Sequence, residues 1–240
     1  MRSRILLTAL TLTLLGAALA FAEDQPNKLS LGLSYLATSG NSSTQTGSLD
    51  LLYKHTFDPW GLEVAANYLR AEQEGTVTAK KLFVGVRGTR ALSGDFHLFL
   101  EGSYLQDQFA GLDPRLLAAA GVTYKVLKGP EHLLAFDLGL TWTKDDVVGD
   151  GSKSYAGALV AARYSWNISK TAKLTEELSF FPSFKQGSDW RVESNTGVQT
   201  AISAAVALKL SYGSRYANRP VAGYRKTDTQ TAASLVINFL

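Results

Sequence analysis

His97 and Glu101 lie four residues apart, so on a strand they share one face, and with one of the chain's many serines they would supply the parts of a hydrolase. The other two histidines, His55 and His132, fall in separate stretches, and the sequence alone brings none of the three together. No G-x-S-x-G elbow is present to present a nucleophile. Histidine and glutamate at this spacing do not make a metal signature, and three histidines are few for a metal centre. Asp145, Asp146 and Asp150 in DDVVGDGS could hold calcium, but the twelve-residue frame with its terminal Glu is missing. A solvated acidic loop, or one bridged to lipopolysaccharide by divalent ions, suits them as well. No catalytic residue, metal site or cofactor is therefore assigned from the sequence, and His97 with Glu101 is read as part of an interior hydrogen-bond network.

The elements that must position these groups are strands. From Lys28 onward twelve stretches alternate apolar and polar residues with period two, separated by turn-rich punctuation. The odd-numbered connections are SGNSS (39–43), EQEGTV (72–77), residues 108–114, DDVVGDGS (145–152), PSFKQGSD (182–189) and residues 217–226. The even-numbered ones, DPW, LSGD, LKGPE, SKTA and ISA, are mostly shorter. Long loops on one rim and short turns on the other are the pattern of an outer-membrane barrel. An even strand count returns the chain to its starting rim. Both termini are then expected in the periplasm, with Thr227 to Leu240 closing the sheet against the first strand.

One side-chain series is apolar almost throughout, for example Leu29, Leu31 and Leu33, Leu134, Phe136, Leu138 and Leu140, and Leu235, Ile237 and Phe239. The other is polar or small. On it fall Glu63, Lys81, Arg87, His97, Glu101, Asp137, Arg163, Lys173, Glu177, Arg191, Glu193, Lys209 and Arg215, a charge network of seven basic and five acidic residues plus His97. Alternation by itself does not say which face is inside, since a soluble periplasmic barrel would turn the apolar face inward around a ligand. The lipid-facing assignment is favoured by Tyr35, Tyr104, Trp142, Tyr164, Trp166 and Tyr212 near strand ends, and by Gly and Ala on the polar face, which a confined lumen needs. Opposite charges in such a space neutralise one another, so the expected lumen is narrow and charged. Glu176 breaks the pattern, falling in the apolar series of TEELSFF.

The first 22 residues read as an export signal: Arg2 and Arg4, an apolar run, then A20-F21-A22 before Glu23. The mature domain is then 23–240. Removing the signal takes two of 24 basic residues and none of 21 acids, so the formal charge falls from +3 to +1. No basic block remains to bind nucleic acid. An exported chain without cysteine has no disulfide framework, and its stability must come from the fold.

The segment LSLGLSYLATSGNSSTQTGSLDLLYK, with KLFVGVRGTR, FHLFLEGSYLQDQFAGLDPRLLAAAGVTYKVL, KLTEELSFFPSF and the terminal TDTQTAASLVINF, resembles a bacterial family catalogued as a domain of unknown function. Some of its members carry the description salt-induced outer-membrane protein. The resemblance runs from about Leu29 to the C-terminus and is carried most by the Gly40-Asn41 turn and the stretch from Asp107 to Gly121. It implies an outer-membrane barrel and brings no catalytic residues. Such barrels commonly end on an aromatic residue read by the assembly machinery, whereas here Phe239 stands one residue before the terminal Leu240. The expected partners are outer-membrane lipids, lipopolysaccharide and that machinery, and the expected state is a monomer. The function this supports is a structural or weakly conducting pore for small ions and solutes, linked by the resemblance to salt or envelope stress. The alternatives are an outer-membrane enzyme acting on lipid or lipopolysaccharide, marked by a lipid-facing Ser-His pair near the outer rim, and the soluble binding barrel.

Overall fold

A computed structural model describes residues 27–39, 43–149 and 151–239. The expected export signal and the Gly40-Asn41 turn lie outside the described residues. Twelve strands form one closed antiparallel barrel, each paired with its sequence neighbours and the last with the first. They are β1 (Asn27–Thr38), β2 (Thr44–Phe57), β3 (Trp60–Gln73), β4 (Thr76–Ser93), β5 (Phe96–Asp107), β6 (Leu112–Lys128), β7 (His132–Val147), β8 (Gly151–Asn167), β9 (Ala172–Pro182), β10 (Trp190–Ala201), β11 (Val206–Ala217) and β12 (Thr227–Asn238). A single 3-10 turn, Gln108–Ala110, joins β5 to β6.

The apolar series lies on the outside. Leu100, Leu138, Leu140 and Leu210 are 67, 60, 66 and 56% exposed, and they belong to a band far more apolar than a water-facing surface of a monomer tolerates. The fold therefore does not adopt the alternative in which this face turns inward around a ligand. The inward series holds the small core: Phe99, Leu117, Ala119, Leu159 and Ala161 are buried together, with Phe181 packed against them.

Two connections expected to be long are tight. Residues 74–75 alone join β3 to β4, with Glu74 and Gly75 at φ 51° and 79°, the positive pair that a two-residue hairpin turn requires. Residues 145–147 continue β7 and pair with residues 151–153 of β8. Backbone ladders need no apolar alternation, so the strands run past the band that the side-chain pattern marks. The long connections on this rim are residues 183–189 and 218–226.

Closure is uneven. β2 and β3 pair along their whole length from Thr44↔Gln73 to Phe57↔Trp60, while β1 meets β12 over four pairs, from Ser30↔Asn238 to Leu33↔Leu235.

Candidate functional site: the charged interior

The strand register sets which side chains meet inside. Glu63 stands opposite Arg87, Arg87 opposite Glu101, and Arg163 opposite Glu177 on successive strands, so one parity carries the charges inward around the ring. Three of these groups, Arg87, Glu101 and Arg163, form a cluster with Asp137. Arg87 donates through Nη1 to Glu101 Oε2 at 2.5 Å, and through Nη2 to Thr123 Oγ1 at 3.0 Å and Asp137 Oδ1 at 3.1 Å. Thr123 also donates to Asp137 at 2.6 Å, and Arg163 donates to its other oxygen. Asp137 is 2% exposed and bridges two guanidiniums from β4 and β8. The Arg87 guanidinium lies 4.0 Å above the Phe99 ring, so the charges rest on the apolar core instead of beside it.

Toward the rim with the long connections a second cluster forms. Arg115 grips Asp145 with both Nε (2.6 Å) and Nη2 (2.9 Å), and Tyr155 donates to the same carboxylate at 3.3 Å. Arg191 stacks on Phe181 at 4.0 Å and lies 3.3 Å from Glu193. Arg215 of β11 comes within 3.8 Å of Asp107 of β5. These strands are six apart around the ring in either direction, so that contact crosses the full width of the barrel. Above it the 218–226 connection reaches the same far side: Tyr224 donates to the Gln108 carbonyl at 3.4 Å, and a Cβ on Gly111 would meet the Tyr224 ring at 2.8 Å. Lys81 is register partner to Asp107 and joins this group.

At the opposite end lysines gather. Lys28 faces Lys54 across β1 and β2 and feels the charges of Lys173 and Lys209 as well. Lys54 pairs with Glu63 at 2.6 Å, with both side chains near half exposed to the interior space. Glu177 is exposed on the same interior face, register partner to Arg163 of β8.

The interior thus brings Arg87, Glu101, Asp137 and Arg163 into one group and Lys81, Arg191, Glu193 and Arg215 into another. It does not bring His97 to Glu101: Glu101 is held by Arg87, and His97 Nδ1 is buried without a hydrogen-bond partner. The two outward histidines sit near the short turns, His55 against Asn27 and His132 2.8 Å from the Tyr164 hydroxyl, so no Ser-His pair lines the lipid face at the far rim among the described residues. Asp145 and Asp146 project to opposite faces, toward Arg115 and Lys144, and no group of metal-ligating side chains forms among the described residues. Arg115, Tyr155 and Asp107 were missed from the sequence, and Asp145, read there as part of an acidic loop, belongs to β7 and the interior. Polar parity carried past Asp137 through Thr141 and Thr143 points to Asp145, and would have found it.

Glu176 keeps its register and its outward direction. Ser194 Oγ donates to Oε1 at 2.9 Å and Thr196 Oγ1 to Oε2, so two hydroxyls of the neighbouring strand take up the misplaced carboxylate.

The family described as "Protein of unknown function, DUF481" matches residues 31–239. A curated relative from Escherichia coli strain K12, the uncharacterized protein YdiY, is 26% identical over 215 residues, covering 88% of this chain and 82% of the relative. Among solved structures, the NanC porin superposes with a TM-score of 0.53 at 9% identity over 88% of this chain and all of that one. A bacterial polysaccharide outer membrane secretin gives 0.50 at 9% identity over 89% and 98%. At these identities the likeness is one of fold: a twelve-strand antiparallel barrel like those of outer-membrane porins and channels.

Proposed function

The chain belongs to the DUF481 family, and from that premise we propose that it is an integral outer-membrane barrel of a Gram-negative bacterium with a narrow, charged lumen. Its termini lie on the periplasmic side with the short turns, and residues 1–22 are the export signal. The lumen network named from the sequence, together with the Arg115–Asp145 pair, ties the walls to one another and leaves a constricted passage for small ions and solutes. The barrel is structural or weakly conducting, and the family resemblance attaches it to salt or envelope stress. It works as a monomer among outer-membrane lipids and lipopolysaccharide, delivered by the barrel assembly machinery.

The observation that carries the reading is the contact of Arg215 with Asp107 across the full width of the interior. A broad aqueous channel, as in barrels of sixteen strands or more, would hold these groups far apart. A passage would follow the wall where inward register partners are small, such as Ser211 and Ala232.

The test is to express the full chain, extract the membranes with alkali and run the retained protein unheated and heated on a detergent gel, then record single channels in planar bilayers. A heat-shifted band with small, steady conductance that falls when Ser211→Trp fills the small wall is the expected result. A soluble, unshifted protein would overturn the membrane assignment. A shifted band without any conductance would leave the barrel purely structural.

A further inference from the structure

The mouth beneath the 218–226 connection encloses a cavity lined by six basic side chains, Arg115, Lys153, Arg191, Arg215, Arg219 and Arg225, against three aspartates. Arg115 is already neutralised by its two-pronged bond to Asp145. Arg191, Arg215 and Arg219 are not matched so well. Arg191 is 6% exposed, yet its Nε has no hydrogen-bond partner: Glu193 lies 3.3 Å away but out of line with the N–H. Arg215 Nη1 is likewise buried without a partner, since Asp107 stays at 3.8 Å and Glu193 lies 4.0 Å from the same guanidinium's Nε. Buried donors left without an aligned acceptor are uncommon and costly, more so when they carry charge.

Above them Arg219 reaches only a 3.4 Å contact with the Ser188 hydroxyl. A guanidinium fork matches the two oxygens of a carboxylate or phosphate, and aromatic faces beside it exclude water from the charge. Phe181 presents such a face to Arg191, and the Tyr155 hydroxyl accepts from Arg191 Nη1 at 3.5 Å.

We propose that this mouth is a binding site for small oxyanions, carboxylates or phosphates, with Arg191 and Arg215 as the buried donors and Arg219 and Arg225 closing over the ligand from the connection. The site rests on the barrel reading but not on conduction, because an anion can be held at the mouth of a barrel that passes no current. Lysines at the other end of the interior give a bound anion no such forks, which makes the mouth the selective end.

The experiment uses the full chain purified in detergent and proven folded by its heat shift. Inorganic phosphate, gluconate and, as a neutral control, glucose are titrated separately, followed by calorimetry and by tryptophan fluorescence. Saturable binding of phosphate alone assigns a phosphate ligand, of gluconate alone a carboxylate ligand, and of both a general oxyanion site. Each arm requires that glucose does not bind and that Arg219→Ala with Arg225→Ala weakens the anion about tenfold or more while the heat shift is kept. Arg191→Gln is expected to weaken it further, and the loop variant keeps the test valid should Arg191→Gln fail to fold. Absence of saturable anion binding on a heat-shifted barrel, or unchanged binding by the loop variant, overturns the site and leaves the barrel standing. A chain that never shifts on heating overturns both.

Discussion

The two walls of the barrel interior are built on opposite rules. On the β5 to β8 side, Phe99, Leu117, Ala119, Leu159 and Ala161 fill the space, and the paired Gly121 and Gly139 let the Phe99 ring lie against the backbone. From β10 round to β1, inward positions opposite one another are small or polar: Gly197 with Ser211, Ser211 with Ala232, Lys209 with Ser234. Side chains of ordinary size fill an eight-strand barrel, but twelve strands enclose more than one layer can reach. Bulky inward side chains on one wall and small or polar ones on the other give the barrel a core confined to one side. The ion pairs differ in enclosure too: Arg87 and Asp137 rest on the thick wall, whereas Lys54 and Glu63, on β2 and β3 between the two walls, meet in open interior space.

The strongest way to break this contrast is to put a side chain where the thick wall has none. A Cβ on Gly121 would stand 2.2 Å from the Leu138 carbonyl oxygen and 2.5 Å from the Gly139 Cα, so β6 and β7 must part. Gly121→Val is expected to abolish the heat-shifted band. On the thin wall, a Cβ on Gly213 would meet the Asn195 side-chain oxygen at 3.0 Å, which can swing away. Gly213→Ala is expected to assemble normally, and a failure as complete as that of Gly121→Val would erase the distinction.

Next in size are the charges. Asp137→Ala leaves Arg87 and Arg163 without the carboxylate they share, one of the least exposed acids in the interior, and removing one side of so buried a pair costs about 3 kcal/mol. Glu63→Ala removes the acid of a half-exposed pair, where the loss is below about 1 kcal/mol. Urea unfolding in lipid vesicles, followed by tryptophan fluorescence, compares the two. Equal costs would mean that water reaches both pairs alike.

The alternation of side chains was legible from the sequence because lipid on one side and a confined interior on the other impose it residue by residue. It located the twelve strands to within a few residues. Contacts between strands distant around the ring were not legible, because parity says that Asp107 and Arg215 point inward but not that they meet. Loop lengths were overestimated where the polar ends of strands stay paired, as in 145–147. Glu176 looked like a register fault because the hydroxyls that hold it, Ser194 and Thr196, come from a strand whose alignment the sequence does not give.

The smallest effect, and the one that sharpens the comparison most, concerns the closing seam on the thin side. The ladder of β1 with β12 stops at Leu33↔Leu235, although β1 continues to Thr38 and β12 begins at Thr227. Continued in register, Tyr35 would face Ala233. Unpaired strand edges leave backbone groups without partners, so this unzipped stretch is where the barrel is least secured. The chain contains no cysteine, which makes paired substitutions clean reporters. Leu33→Cys with Leu235→Cys should oxidise readily on the outside of the folded barrel, since paired residues on neighbouring strands stand about 5 Å apart. Tyr35→Cys with Ala233→Cys should stay reduced under the same mild oxidant, with neither pair shifting stability before oxidation. Equal cross-linking would mean that the seam zips to its end, and that the thin wall differs from the thick one in its side chains alone and not in its hydrogen bonding.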